Sequence, residues 1–167
     1  MTTADTTTLY TRDPATGEFS PVIPERLFSI ALEHLNRLVC RGDVMSSPDI
    51  VSSYLCVYFA NYTYEAFVML YLDTQNRVIA IEEPFRGSLT STSVHPRQIV
   101  TAALRLNCAA AIAAHNHPSS GVPEPSSADI QLTKVLRDAL ALVEVRLLDH
   151  IVVGAGRTVS LAQRGLI

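Results

Sequence analysis

The chain has 167 residues, of which 48% are hydrophobic, and a formal net charge of -3. This length fits one domain with a substantial core, and the near-neutral charge without a basic cluster does not indicate strong nucleic-acid binding. The polar residues 1–8 lack the basic and apolar regions of a signal peptide, and no stretch is long enough for a membrane span, so we expect a cytoplasmic protein.

The first part of the chain predicts an arm followed by helices. Residues 1–20 contain few apolar anchors and predict a flexible N-terminal arm. Within residues 21–45, apolar side chains recur at helical spacing from Pro24 to Cys40, which predicts an amphipathic N-terminal helix. The sequence Ser47-Pro48-Asp49 is typical of a cap that opens a second helix, which we expect to run to about Ala60.

A hairpin is predicted next. Ala66 to Leu72 is strongly apolar, and a turn at Asp73 to Asn76 leads into a second strand over Arg77 to Glu83. The alternating Ser and Thr residues between Gly87 and Val94 predict a third strand. A helical pattern then runs from Pro96 to Leu106.

The remaining elements complete a mixed sheet. Cys108 to Ala114 is small and apolar without alternation, which is typical of a strand covered on both sides. A helix over Ser126 to Leu142, a strand over Val145 to Val153 and a short last strand over Thr158 to Ser160 follow. The pattern predicts an α+β fold with helices packed against a mixed β-sheet.

Two histidines and an aspartate form a candidate metal site. His115 and His117 are separated by one residue at the end of the buried strand, so their side chains share a face. Ser126 lies near a helix N-cap, and Asp129 in the first turn can face back toward the histidines. Two imidazoles and one carboxylate, with the fourth position left to water, are typical of catalytic zinc, although iron or manganese could use the same ligands.

The alternative for the histidine pair is a hydrogen-bonded pair without a metal. A His-x-His sequence alone is a weak signal, and the apolar strand and Asp129 strengthen it. Cys40, Cys56 and Cys108 share no close spacing, so they do not predict a structural zinc site.

A hydrolytic zinc site also needs a carboxylate that moves protons. Glu82 and Glu83 are the candidates, since both end the second strand of the hairpin. Neighbouring residues of a strand point to opposite faces, so at most one of them reaches the metal. Both faces of this strand are apolar, and the pattern does not choose between the two glutamates.

Five sequence blocks then stand in order along the chain: Glu82–Ser88, Val94–Val100, His115–Ser119, Pro125–Asp129 and Leu147–Gly154. Together they resemble the RadC family, whose domain belongs to the JAMM (MPN-type) metalloprotease fold. The resemblance runs from about Ser46 to Ile167. It implies a cytidine-deaminase-like JAMM/MPN fold over residues 46–167. The two N-terminal helices that spacing and caps predict precede the sheet of this fold.

The resemblance also implies roles for individual residues. His115, His117 and Asp129 would be zinc ligands. Glu82 would act as general base and then acid, and Ser126 would donate a hydrogen bond to the developing oxyanion. The segment between His117 and Ser126 is one residue longer than is usual in the family, but such an insertion costs little, so we expect the ligand set to survive.

The leading hypothesis is a zinc-dependent hydrolase of the JAMM type that cleaves a peptide or isopeptide bond in a peptide or protein substrate. One alternative is a DNA repair or processing accessory protein that uses the fold as a metal-binding scaffold without peptidase activity. Another is a metal-binding module that has lost catalysis. Glu82 favours the hydrolase, because a scaffold needs no carboxylate beside an open metal position. His150 is expected to be a hydrogen-bonded core histidine and not a ligand.

Overall fold

The computed structural model describes residues 8–40, 48–87 and 94–167. Its elements, in chain order, are β1 (Tyr10–Arg12), β2 (Phe19–Pro21), α1 (Pro24–Cys40), α2 (Pro48–Tyr58), β3 (Ala66–Leu72), β4 (Val78–Arg86), α3 (Pro96–Leu106), β5 (Ala110–Asn116), α4 (Ser127–Ala141), β6 (Arg146–Gly154) and β7 (Arg157–Ser160). No helix in these three ranges is both long and apolar enough to cross a membrane.

Most predicted elements are confirmed. Helices α1 and α3 and strand β3 have the bounds that periodicity predicts, and β3 and β4 form the predicted antiparallel hairpin. The predicted strand between Gly87 and Val94 falls mainly on residues 88–93, which lie outside the described residues.

A small N-terminal hairpin was not predicted. Strands β1 and β2 pair antiparallel, and all their residues are exposed. The turn is local: the Asp13 carboxylate accepts the backbone N–H of Ala15, and Gly17 takes a positive φ of 76°. The predicted mobility of residues 1–20 stays a prediction, whereas residues 10–21 have regular structure.

The remaining strands form one sheet with the spatial order β4-β3-β5-β6-β7. β5 and β6 are parallel, and the other neighbours are antiparallel. Parallel neighbours need a crossover connection, which α4 provides. The C-terminal ends of β5 and β6 therefore lie side by side at one edge of the sheet.

The sheet has a hydrophobic core on each face, and β5 contributes to both. Ala110, Ile112 and Ala114 belong to the core that contains the buried residues of α2. Ala111 and Ala113 belong to the core that contains the buried residues of α3 and α4. Small side chains on both faces of β5 fit this covered position between helices. The result is the α+β arrangement that the sequence predicts, with the sheet between two helical layers.

Candidate metal centre

The first two candidate ligands come from the end of β5. His115 has the same parity as Ala113, which places it on the face covered by α3 and α4, and its ring stacks on Phe67 of β3 with centroids 6.4 Å apart. His117 follows the strand, and its backbone N–H donates to the carbonyl of Val153 on β6 at 2.8 Å. That bond continues the backbone pairing by one residue and fixes both histidines against the sheet.

The third candidate comes from the first turn of α4. Asp129 and Ser126 form a reciprocal capping box. The Ser126 backbone N–H and hydroxyl donate to Asp129 Oδ2 at 2.7 and 2.6 Å, and the Asp129 N–H donates to Ser126 Oγ at 3.2 Å. Because these bonds hold Oδ2, Oδ1 is the oxygen that faces His115, 3.4 Å from its Nε2.

The three side chains meet as predicted. One ligand atom each from His115, His117 and Asp129 lies within 4.8 Å of the others, and the two Nε2 atoms are 3.0 Å apart. The longer segment between His117 and Ser126 therefore leaves the set assembled. This group could bind a metal ion.

The loop after β5 determines the tautomer of His117. Its Nδ1 lies 2.9 Å from the carbonyl oxygen of Val122. A carbonyl only accepts hydrogen bonds, so Nδ1 carries the proton, and the neutral ring has its lone pair on Nε2. The loop packs against β6 at Gly154, where a Cβ would lie 2.7 Å from the backbone nitrogen of Pro123. Glycine at this position is what allows the close approach.

A buried chain of hydrogen bonds determines the tautomer of His115. Thr133 Oγ1 lies 2.6 Å from both the carbonyl of Asp129 and Nδ1 of His150. Each contact needs a proton and the hydroxyl has only one, so the hydroxyl donates to the carbonyl and His150 Nδ1–H donates to Thr133. Neutral His150 then accepts through Nε2 from Nδ1 of His115 at 2.8 Å. The lone pair of neutral His115 is therefore on Nε2.

The donor set fits zinc. In their neutral forms the two imidazoles direct lone pairs toward the same point with nitrogens 3.0 Å apart, and an anionic carboxylate oxygen lies 3.4 Å from one of them. Such an arrangement is repulsive unless a cation or proton lies between the atoms. Ligands at about 2.0 Å from a tetrahedral zinc ion are roughly 3.3 Å from one another, which is close to these two distances. The third pair is wider, with His117 Nε2 3.9 Å from Asp129 Oδ2.

The pKa of two groups is shifted here. Burial alone would raise the pKa of Asp129, but the hydrogen bond and charge of His115, when a proton occupies its Nε2 in place of a metal, together with the hydrogen bonds from Ser126, hold that pKa well below its usual range. Complete burial, with the neighbouring His115 ring, lowers the pKa of His150 to about 3. Asp129 is thus a carboxylate and His150 is neutral near pH 7. The expectation that His150 is a hydrogen-bonded core histidine is confirmed.

Glu82, the predicted general base, does not join this group. It pairs with Met69 of β3, which pairs with Ala113 of β5, so Glu82 lies two strands from His115 and two residues farther from the strand end. Its carboxylate contacts the Arg105 side chain of α3 at 2.5 Å. At about 4.8 Å per strand, its backbone lies roughly 10 Å from β5.

Glu83 leaves the opposite face of the sheet, as the alternation predicts for neighbours. Tyr62 donates to its carboxylate at 2.8 Å, and Arg86 also contacts it. Burial, followed by hydrogen bonds with Tyr58 and Glu83, raises the pKa of Tyr62. Glu83 therefore belongs to a tyrosine and arginine cluster beside α2.

A glutamate that the sequence analysis missed lies nearer. Glu65 immediately precedes β3, and Phe67 pairs with His115, so continuing this antiparallel register sets Glu65 level with His117 on the same face. The side chain of Asn116 fixes the local backbone: its Oδ1 accepts the Ala66 N–H at 2.8 Å, and its Nδ2 donates to the carbonyl of Tyr64 at 3.0 Å. Only the long-range pairing of β3 with β5 reveals this proximity.

A cavity of about 240 Å³ adjoins the site on the α2 face of the sheet. His117 and Asn116 line it from the end of β5, Phe59 and Tyr62 from the end of α2, and Gly154 from β6. Among the described residues, His117 is the only acidic or basic side chain that lines this cavity. Uncharged groups therefore surround the space next to the candidate ligands.

Comparison with known proteins agrees with this geometry. Residues 45–166 match the family model described as the RadC-like JAB domain. The observed mixed sheet with helices on both faces fits the JAMM/MPN fold of that domain, which is a hydrolase-type fold.

Similar proteins carry the name UPF0758 protein. Those from Thioalkalivibrio sulfidiphilus and Methylibium petroleiphilum are 49% and 52% identical over 86% and 84% of this chain, and each match covers 63% of the relative. The one from Nitrosomonas eutropha is 56% identical over 75% of this chain and 56% of its own length. The chain thus spans less than two thirds of the length of these relatives, and their names give no activity.

Proposed function

We propose that this chain, which belongs to the RadC-like JAB domain family, is a zinc-dependent hydrolase that cleaves a peptide or isopeptide bond. One observation carries this proposal: two imidazole lone pairs and one carboxylate oxygen face a common position that a cation can occupy. His115, His117 and Asp129 would hold the ion through Nε2, Nε2 and Oδ1. Three protein ligands leave one position of a tetrahedral site for water, which distinguishes catalytic from structural zinc.

Bound zinc would supply Lewis-acid activation of a water molecule and of the substrate carbonyl. The protein must supply a carboxylate that removes a proton from the attacking water and returns it to the leaving amine. The strand register favours Glu65 for this role, because it lies level with His117 across one strand pair. Glu82 is the rival, but it would have to leave Arg105 and reach across two strands.

Ser126 has a structural task beside its proposed oxyanion contact. Its hydroxyl donates to Asp129 Oδ2, so donation to an oxyanion requires that this bond be exchanged. We propose that Ser126 mainly positions Asp129. Loss of the hydroxyl should then weaken metal binding, an effect that an oxyanion donor alone would not have.

The test combines metal analysis with an unbiased search for hydrolysis. Zinc-loaded protein is incubated with a proteome-derived peptide library and with peptides that contain lysine isopeptide links, and new termini are identified by mass spectrometry. We expect cleavage that a chelator abolishes and zinc restores. Sites next to uncharged residues should be enriched, since uncharged groups line the cavity beside His117.

Matched variants identify the carboxylate. Glu65→Gln should retain zinc and lower the cleavage rate by at least about 100-fold, the usual contribution of a general base. Glu82→Gln and Glu83→Gln should retain both properties. Loss of cleavage in Glu82→Gln alone would restore the assignment of Glu82. A zinc-loaded protein that cleaves nothing in either library would contradict the hydrolase and favour a metal-binding scaffold.

A further inference from the structure

The relay that fixes the tautomer of His115 also joins two elements of the site. It starts at the ring of His115 on β5, passes through His150 on β6 and Thr133 on α4, and ends at the backbone carbonyl of Asp129. Two candidate ligands from different elements are thus connected by three consecutive hydrogen bonds of 2.6 to 2.8 Å.

Water has no access to this connection. Thr133 and His150 have 0% exposure, and His115 has 2%. In such surroundings each donor and acceptor must find its partner inside the protein, because an unsatisfied polar group costs about 1–3 kcal/mol. The direction of every hydrogen bond in the relay follows from a single fixed end, the Asp129 carbonyl, which can only accept.

We propose that Thr133 and His150 are positioning residues that set the metal affinity of this chain by holding His115 in the tautomer with a free Nε2. The inference rests on the proposed zinc site and deepens it. With its hydroxyl proton committed to the Asp129 carbonyl, Thr133 requires His150 to be protonated on Nδ1. His150 can then only accept from His115 Nδ1–H. If the hydroxyl is removed, either nitrogen of His150 can carry the proton, and one of the two tautomers would force His115 to protonate the nitrogen that binds the metal.

The relay further explains why Asp129 and His115 keep a fixed separation. Helix α4 is the crossover between β5 and β6, and its contact with the sheet at the metal end includes the Thr133–His150 hydrogen bond. Thr133 lies one helical turn after Asp129, so its attachment to the sheet holds the turn that carries the carboxylate. Orientation of the ring and placement of the carboxylate thus depend on the same hydroxyl.

The test compares Thr133→Val, which preserves the shape and removes the hydroxyl, with Thr133→Ser, which keeps the hydroxyl. Zinc dissociation constants are measured by competition with a chromogenic chelator. We expect Thr133→Val to bind zinc about 10-fold more weakly than wild type, because the tautomer with a free His115 Nε2 becomes a minor population and α4 loses its hydrogen bond to the sheet. Thr133→Ser should bind within about 3-fold of wild type, a difference of less than about 0.7 kcal/mol.

A second readout does not depend on metal. Long-range ¹H–¹⁵N spectra of the histidine rings in metal-free protein report which nitrogen of each ring carries the proton. We expect His115 and His150 both protonated on Nδ1 in wild type and in Thr133→Ser, and a mixture of tautomers in Thr133→Val. Equal zinc affinities for Thr133→Val and Thr133→Ser, or a wild-type His150 protonated on Nε2, would overturn the proposal.

These outcomes are separable from those of the proposed function. If wild type binds zinc but hydrolyses nothing, the affinity comparison still tests the relay. If wild type binds no zinc, the proposed function fails at its first step, whereas the ring spectra still decide whether Thr133 sets the tautomers.

A general loss of structure in Thr133→Val would appear as a change in the spectra of residues far from the relay, and His150→Gln then serves as the second variant. Its amide oxygen can accept from His115, so zinc binding closer to wild type than in His150→Leu is expected, and equal affinities for these two would count against the relay.

Discussion

Two regions of the sheet contain clusters of charged and polar side chains, and these clusters differ in how far their hydrogen bonds are buried. At the metal end, formed by His115, His117, Asp129 and their hydrogen-bond partners, the relay of His115, His150 and Thr133 is buried, and each of its hydrogen bonds has one possible direction. At the β4–α3 edge, formed by Glu82 and Arg105, the glutamate side chain is 32% exposed and pairs with an arginine whose side chain is 59% exposed.

The comparison shows which polar contacts can specify a function. Exposed ion pairs contribute about 0–1 kcal/mol because water and salt compete with them. Water cannot replace a lost hydrogen-bond partner of a buried group, so the loss of one partner changes the protonation or orientation of the neighbouring group.

The largest expected effect is the dependence of the free energy of unfolding on pH. His150 has a folded pKa of about 3, below its ordinary value of 6.5, so between these values the unfolded chain binds a proton that the folded chain does not. The stability contributed by neutral His150 is therefore complete above about pH 6.5 and falls as the pH decreases toward 3. In metal-free protein this should add about 1.4 kcal/mol per pH unit to the slope between pH 6 and 4.

Urea unfolding of wild type and His150→Gln across that pH range measures the contribution. The carboxylates, common to both proteins, give the same slope in each, so the difference isolates the histidine. Identical slopes for the two proteins would mean that His150 is accessible to protons in the folded chain, and the metal end would then resemble the β4–α3 edge.

The next effect concerns the cap of α4. Ser126→Ala removes the hydroxyl that donates to Asp129 Oδ2, so we expect zinc affinity to fall by about 10-fold and the free energy of unfolding by about 1 kcal/mol. Ser127→Ala, at the exposed neighbouring position, is the matched control. Isothermal titration with zinc and denaturant unfolding provide the two values. Unchanged zinc affinity together with slower cleavage would instead support the oxyanion role of Ser126.

A smaller effect is expected at the opposite edge. Arg105→Ala removes the partner of Glu82, and because the arginine is mostly exposed the free energy of unfolding should change by less than about 1 kcal/mol. Zinc affinity should not change. A loss of cleavage in this variant, at unchanged stability, would show that Arg105 holds Glu82 in a catalytic position, and the two regions would then form one site.

We expect no binding of this chain to nucleic acid. Arg105 at the β4–α3 edge and Arg86 beside α2 are both paired with glutamates, and the chain has a net charge of -3, so neither arginine offers an unpaired positive charge to phosphates. Fluorescence anisotropy at about 150 mM salt, near physiological ionic strength, should detect no binding to duplex or single-stranded DNA. Submicromolar binding that weakens steeply with salt would favour the DNA-accessory alternative.

Local sequence patterns predict many of the helices and strands, because interactions between residues close in sequence determine where these elements begin and end. The bounds of α1, β3 and α3 follow from apolar spacing, caps and prolines. The three candidate ligands follow from the spacing of His115 and His117 at the end of a strand and from the cap that places Asp129 in a first turn. These features need no knowledge of distant residues.

Features that depend on pairing between distant segments were not predictable. Glu82 and Phe85 are partners of Met69 and Phe67, so β4 has one residue more than β3 in this interval and the alternation breaks at a bulge. Glu65 becomes a candidate only through the β3–β5 register. The pairing of Thr133 with His150 likewise joins a helix to a strand 17 residues later, where no local signal exists.

The zinc content of the protein tests the proposed metal site most directly. Elemental analysis of protein purified without chelator, or reconstituted with zinc and freed of excess ion, should give one zinc per chain for wild type. The same procedure should give almost none for the His115→Ala, His117→Ala double variant, whose folded state is checked by circular dichroism. A wild-type protein that takes up no zinc on reconstitution, or a double variant that retains the full amount, would show that His115 and His117 do not hold a zinc ion.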